Sequence, residues 1–210
     1  MGKGLNEYQL FIFDLDGTLY FQKPLRFKML LFLLFRAIRH PANIKKILVV
    51  SSYRKIREHW EHRALPDLEY QQYKAVAENK HCTVEYVQQA VWEFMFHAPL
   101  PYLGKYKDEM LAEKIDQLRS QGKRVVVYSD YPVTEKLKAL HIEVDNTYCA
   151  FDAAIGSLKP SPEGLSYILC NEQMNAEDAI RRIKGIDCRG RGTSCPYQLA
   201  TALEEALEEF

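Results

Sequence analysis

The sequence predicts an α/β fold, a doubly wound, Rossmann-like parallel sheet core with an inserted all-helical cap. Short apolar runs at 8–14 and 124–128 have the length and composition of buried strands. Helical patterns follow these runs, and strands separated by helices are typical of parallel sheets. Residues 24–99 show helical patterns alone, so we interpret them as a cap inserted after the first strand.

The first half of the chain is predicted to hold one strand and four helices. Residues 8–14 are a strand, because Phe11, Ile12 and Phe13 are continuous and an Asp-Gly-Thr turn signal follows them. Pro99 and Pro101 are expected to end the helical block. The four predicted helices are 27–39, 44–62, 68–78 and 83–96.

In the second half of the chain, predicted helices alternate with predicted strands. We predict helices at 107–121, 132–140, 162–171 and 196–210, a strand at 124–128, and extended pieces at 142–144 and 147–150. The core would then comprise 1–23 and 100–210, and the cap 24–99.

Composition excludes some classes of protein. The 210 residues carry 28 basic and 28 acidic side chains, without the basic excess that nucleic-acid binders usually show. Five cysteines without a CxxC pair predict free thiols in a reducing compartment. The polar N-terminus lacks the apolar stretch of a signal peptide, so we expect a cytoplasmic protein. Nothing in the sequence indicates an oligomeric state.

The charge is unevenly distributed. Residues 23–63 hold eleven Lys and Arg side chains against only Glu58 and Glu61. The apolar run at 29–35 has seven residues, far short of the roughly 20 of a spanning helix. The helices at 25–63 either contact an anionic membrane surface or, as we favour, pack within the cap and attract phosphorylated substrates.

Candidate catalytic side chains follow the predicted strands. Asp14 and Asp16 come after the first strand, Ser129 and Asp130 after the second, and Lys159 ahead of a later helix. Ligand sites of doubly wound folds lie beyond the carboxyl ends of the strands. We therefore expect these residues to form one site.

These segments resemble the signatures of the haloacid dehalogenase-like (HAD) superfamily. Residues 14–19 read Asp-Leu-Asp-Gly-Thr-Leu, which is similar to the first signature. Residues 125–130, an apolar run ending in Ser-Asp, resemble the second, and Lys159-Pro160 resembles the third. The order and separation also match, and the resemblance covers roughly 8–175.

The resemblance implies a Mg²⁺-dependent phosphomonoester hydrolase acting on a small phosphorylated metabolite. Asp14 would be the nucleophile, forming an aspartyl-phosphate, and Asp16 the general acid and base. Superfamily members that act on carbon–halogen bonds lack an aspartate at the position of Asp16. Ser129 and Lys159 complete the implied catalytic set. Substrate contacts are implied for Gly17, Thr18, Ser129, Asp130 and Lys159.

The same resemblance implies a metal site that is incomplete. Its ligands would be Asp14, Asp16 through its backbone carbonyl, and a further acid. The fourth signature, a strand ending in Gly-Asp, is missing from 176–190, where Asp187 is the surviving candidate. The simplest explanation is that a handful of residues are absent before Arg182, and a frameshifted or otherwise altered tail is the competing one. Arg181, Arg182 and Lys184 would oppose a cation.

Two alternatives to the hydrolase are therefore open. One is a catalytically impaired HAD-like protein that binds a phosphorylated ligand or a partner, and the other is a phosphoryl mutase. A missing fourth strand would also leave the first strand at an exposed sheet edge.

Overall fold

The computed structural model describes residues 8–60 and 65–174. Within them the chain forms three strands and eight α-helices. The strands are β1 (Leu10–Phe13), β2 (Arg124–Ser129) and β3 (Asn146–Cys149). The helices are α1 (Gln22–Arg39), α2 (Asn43–Glu58), α3 (Leu68–Lys80), α4 (Val84–Val91), α5 (Leu100–Leu103), α6 (Glu109–Ser120), α7 (Thr134–Leu140) and α8 (Pro162–Asn171).

The three strands form one parallel sheet in the order β1-β2-β3. Phe13 pairs with Val127, and Ser129 pairs with Cys149. Helices connect the strands, as parallel pairing requires, which confirms the predicted α/β parallel-sheet class. Among the described residues β1 pairs only with β2.

The chain divides into two compact units, and the divisions fall within α2, at the start of α3 and directly after β3. The described residues of the first unit are 8–56 and 70–149, which include the whole sheet. Those of the second are 57–60, 65–69 and 150–174. The division into a core at 1–23 and 100–210 and a cap at 24–99 stays a prediction.

The first unit has an apolar core in which side chains of β2 meet those of four helices. The Val125 and Val127 side chains are fully buried. Burying each such side chain contributes about 1.5–3 kcal/mol. Other members of this core are Leu15, Leu19, Leu25, Met29, Leu103, Ile115, Leu118, Leu137 and Leu140.

The second unit has its own small cluster. Leu68, Ala150 and Leu158 are buried there, and Leu65 packs against them. The Leu65 amide donates to the Gly156 carbonyl oxygen at 3.1 Å. The second unit also contains α8 and the loop that carries Lys159.

Several element predictions need correction. The turn at Leu100–Leu103 is helical although it contains Pro101, because a proline in the first turn of a helix has no amide partner to lose. α1 begins at Gln22 rather than at residue 27, with Pro24 in its first turn for the same reason. Residues 142–144 form no strand. The helix at 83–96 splits into α4 and a π-helical turn, Trp92–His97.

Other predictions fall outside the described residues, namely the helix at 196–210, the altered segment at 176–196 and Asp187. In the described ranges no helix is long and apolar enough to cross a membrane. The cytoplasmic location stays a prediction.

Candidate active site

The segment after β1 makes a tight turn that presents two aspartates. Asp14 follows β1 directly, and the Leu15 side chain between the aspartates is fully buried. Gly17 has φ of +92°, a value that side-chain-bearing residues rarely adopt. The Leu19 amide donates to the Leu15 carbonyl at 3.1 Å, which closes the turn.

Two backbone hydrogen bonds hold the end of this turn. The Phe21 amide donates to the Tyr106 carbonyl at 2.8 Å, and the Asp108 amide donates to the Leu19 carbonyl at 3.0 Å. These contacts fix the aspartate turn to the segment that precedes α6.

The carboxylate of Asp16 is the centre of a polar cluster. Lys136 Nζ lies 2.6 Å from Oδ1 and 2.8 Å from Oδ2. Ser129 Oγ donates to Oδ2 at 3.3 Å, and the Tyr20 hydroxyl donates to Oδ1. The Lys136 and Asp16 side chains are only 12% and 15% exposed. The ammonium and the carboxylate are therefore a largely buried ion pair.

The cluster sets the charge of Asp16. Burial raises the pKa of this carboxyl, but the charge of Lys136 and the hydrogen bonds from Lys136, Tyr20 and Ser129 outweigh burial, so the pKa lies below 3.8. Burial and the neighbouring Asp16 charge raise the pKa of Tyr20. At neutral pH Asp16 is thus a carboxylate and Tyr20 a hydrogen-bond donor.

Ser129 ends β2 and is almost fully buried. Its Oγ accepts a hydrogen bond from the Tyr131 amide at 3.2 Å while it donates to Asp16. A hydroxyl has one proton to donate, so the predicted contact with a phosphoryl oxygen requires this hydroxyl to turn away from Asp16.

Asp14 is half-buried beside Thr18, whose Oγ1 lies 3.4 Å from Asp14 Oδ2. The half-buried Asp130 follows Ser129 at the end of β2. The structure thus brings Asp16 and Ser129 together, with Asp14, Gly17 and Thr18 on the same turn. Their catalytic and substrate-binding roles stay predictions.

The two remaining predicted site residues are Lys159 and Asp187. Lys159 belongs to the second compact unit, ahead of α8, where a cis peptide bond joins it to Pro160. Asp187 lies outside the described residues. Their roles stay predictions.

Lys136 and Tyr20 are site residues that sequence reasoning missed. Lys136 lies in the first turn of α7, where a cation opposes the helix dipole unless an anion faces it. A lysine in the first turn of a helix, seven residues after Ser129, is therefore the sequence feature that indicates a facing anion. Tyr20 follows Asp16 by four residues, the distance of one helical turn.

The residues around the turn fit a magnesium ion only in part. Mg²⁺ often takes one or two carboxylates and completes its shell with water and substrate phosphate. The Asp14 carboxylate and the Asp16 backbone carbonyl suit that pattern. The Asp16 side chain does not, since both of its oxygens contact the Lys136 ammonium. The described residues contain no group of three or more His, Cys, Asp or Glu side chains that could hold a metal ion.

Among solved structures, the chain is similar to the crystal structure of 2-haloacid dehalogenase from Pseudomonas syringae pv. Tomato DC3000. The match has a TM-score of 0.56 and 16% sequence identity, and it covers 96% of this chain and 99% of that chain. This chain has a haloacid dehalogenase-like fold. The resemblance expected from the signatures is thereby confirmed at the level of the HAD fold.

A second comparison concerns the C-terminal half. A family model described as the TSCPD domain matches residues 112–207, less than half of the chain. The matched range begins within α6 and includes Thr-Ser-Cys-Pro at 193–196, the first four letters of that description in one-letter code. No curated protein matches the sequence.

Proposed function

We propose that this protein is a Mg²⁺-dependent phosphomonoester hydrolase that acts through an aspartyl-phosphate on Asp14. The observation that supports this proposal is the Asp16 carboxylate, held two residues after the nucleophile by Lys136, Ser129 and Tyr20. Hydrolysis of a phosphate ester needs a proton-transfer group at this place.

In the first step an Asp14 oxygen attacks phosphorus, and the bond from phosphorus to the ester oxygen breaks. The leaving oxygen needs a proton, which Asp16 supplies. An arriving phosphate places negative charge near Asp16 and raises its pKa. Protonation of Asp16 would release Lys136 to face the phosphoryl oxygens, where its charge stabilises the transition state.

In the second step water attacks the aspartyl-phosphate, and Asp16 accepts the proton of that water. The phosphorus–oxygen bond to Asp14 breaks, which frees phosphate and restores the Asp14 carboxylate. Asp16 is left protonated and returns its proton to solvent when phosphate departs. Lys136 stabilises the charged form of Asp16 in this step. The Asp14 carboxylate and the Asp16 backbone carbonyl would hold a Mg²⁺ ion, whose charge would offset the repulsion between nucleophile and phosphate.

We propose a small phosphorylated metabolite as the substrate, with Lys159 as a second cation toward phosphate. The rival function is a catalytically impaired protein that binds a phosphorylated ligand. The observation that favours it is the ion pair itself, since Lys136 holds Asp16 in the charged form that lacks a proton for the leaving group.

Hydrolysis of p-nitrophenyl phosphate with and without Mg²⁺ separates the two functions. We expect Mg²⁺-dependent turnover that falls by about a thousandfold or more in Asp14→Asn, which loses the nucleophile. Asp116→Asn, an exposed carboxylate on α6, is the matched control and keeps full turnover. The rival function is identified if the wild-type protein is folded, as judged by circular dichroism, and binds inorganic phosphate but shows no turnover.

A further inference from the structure

Helix α1 presents an apolar face to solvent. Its exposed apolar side chains range from 48% to 81% exposed. At about 100° per residue they fall within an arc of about 140° on one side of the helix. These side chains are Phe27, Leu30, Leu31, Leu34, Phe35 and Ile38.

The opposite face of α1 accounts for its packing in the first unit. Leu25 and Met29 are buried there. Arg36 donates to Glu93 at 2.7 Å. The outer apolar face is thus additional to the face that holds the helix in place. On α2, Ile44 and Leu48 are exposed apolar side chains one helical turn apart.

The segment that carries this face has charged side chains of one sign. Residues 21–57 contain ten Lys and Arg side chains and no Asp or Glu. Lys23, Arg26 and Arg39 are exposed on α1. On a helical projection Arg26 and Arg39 each lie about 40° beyond one border of the apolar arc, so their long side chains can reach outward beside it.

We propose that α1 and the first turns of α2 dock this protein on an anionic lipid bilayer. The apolar face would enter the boundary between headgroups and acyl chains, and the bordering cations would contact lipid phosphates. α1 would lie in the plane of the surface over about 27 Å.

The charge selects a bilayer over a second copy of this chain. Two copies meeting through this face would bring two sets of cations together without a counter-charge, which destabilises a dimer. An anionic bilayer offers both the apolar layer and the negative charge. This proposal does not rest on the proposed phosphatase activity.

Co-sedimentation with vesicles tests the proposal. We expect the full chain to sediment with phosphatidylcholine vesicles that contain about 30% phosphatidylglycerol, and much less with phosphatidylcholine alone. Raising NaCl from about 0.1 M to about 0.5 M should release most of it. Equal binding to both vesicle types, or none by the folded protein, would overturn the proposal.

Variants of exposed residues separate the apolar and charged contributions. Leu30→Gln with Leu34→Gln and Ile38→Gln should abolish sedimentation, whereas Met110→Gln, 79% exposed on α6, should leave it unchanged. Lys23→Gln with Arg39→Gln should lower the partition coefficient about 10- to 30-fold. Lys74→Gln with Lys105→Gln, both exposed, is the matched charge control.

The oligomeric state in solution distinguishes a membrane-docking face from a subunit interface. Light scattering should show that the apolar triple variant and the wild type have the same mass. A wild-type dimer that the triple variant converts to a monomer would identify this face as a subunit interface and overturn the membrane proposal.

Discussion

The ammonium of Lys136 lies 2.6 and 2.8 Å from the two carboxylate oxygens of Asp16. The two residues are 120 positions apart in sequence, one on the turn after β1 and the other in the first turn of α7. Parallel pairing of β1 with β2 brings these two elements to the same end of the sheet. The ion pair therefore links the candidate proton-transfer group to the fold itself.

Because Lys136 and Asp16 form an ion pair, substitutions of the two residues should have non-additive effects on the free energy of unfolding. Lys136→Met or Asp16→Asn alone should lower the free energy of unfolding by about 1–3 kcal/mol, since each leaves a poorly exposed charge without its partner. The double variant should cost less than the sum of the singles, with a coupling of about 1–3 kcal/mol. Urea unfolding of the four proteins measures it.

The exposed pair of Lys138 and Glu135 is the control for that cycle. The Lys138 and Glu135 side chains are 68% and 66% exposed, and Lys138 Nζ lies 2.8 Å from Glu135 Oε1. Because solvent screens this pair, its coupling energy should stay below about 0.5 kcal/mol. A coupling of Lys136 with Asp16 no larger than this would contradict the assignment of a buried ion pair.

The hydroxyl of Tyr20 gives a second prediction. Tyr20→Phe keeps the buried ring but removes the donor to Asp16, so unfolding should become easier by about 1–2 kcal/mol. Tyr70→Phe, where the side chain is 51% exposed, should change little. Thermal unfolding of both variants is the measurement, and equal stability would show that the Tyr20 hydroxyl contributes nothing.

Gly17 gives a third prediction that separates backbone conformation from space. A Cβ at Gly17 would meet only the Gln22 side chain at 3.6 Å, so the cost of Gly17→Ala comes from φ of +92°. We expect a loss of about 1 kcal/mol or more. Gly104→Ala is the control, since its Cβ would meet the Ala139 carbonyl at 3.5 Å without a positive φ. Denaturant unfolding that ranks the two variants in the opposite order would contradict this account.

Glu93 gives a prediction about pH. A hydrogen bond from Lys46 lowers its pKa below 4.5 against the opposing effect of burial, with help from the Lys46 charge and from Arg36. Because the pKa is lower in the folded than in the unfolded state, the stabilisation is present above about pH 4.5 and is lost as pH falls through the folded pKa.

Thermal unfolding between pH 7 and pH 3 measures this effect. Glu93→Gln should be less stable than the wild type at pH 7, and the gap should narrow as the pH falls below 4.5. Salt should narrow the gap at pH 7 as well, because the Glu93 side chain is 27% exposed and its ion pairs are screened. A gap that is independent of pH would show that the ion pairs do not stabilise the fold.

The sequence by itself determined the parts of this protein that depend on local pattern. A run of apolar residues has few ways to be buried, so β1, β2 and most helices were predicted near their observed positions. The spacing of Asp14, Asp16 and Gly17 likewise predicted a turn at the carboxyl end of β1. These features are set by residues that are close along the chain.

Only the tertiary structure decided which distant side chains meet. Lys136 contacts Asp16 because parallel register places the ends of β1 and β2 side by side, and no local pattern encodes that contact. The sequence does not distinguish the outer face of α1 from a face that packs in a core, since an apolar helix face has the same periodicity whether or not a neighbour covers it. Its exposure depends on what packs against α1, and that is a property of the folded chain.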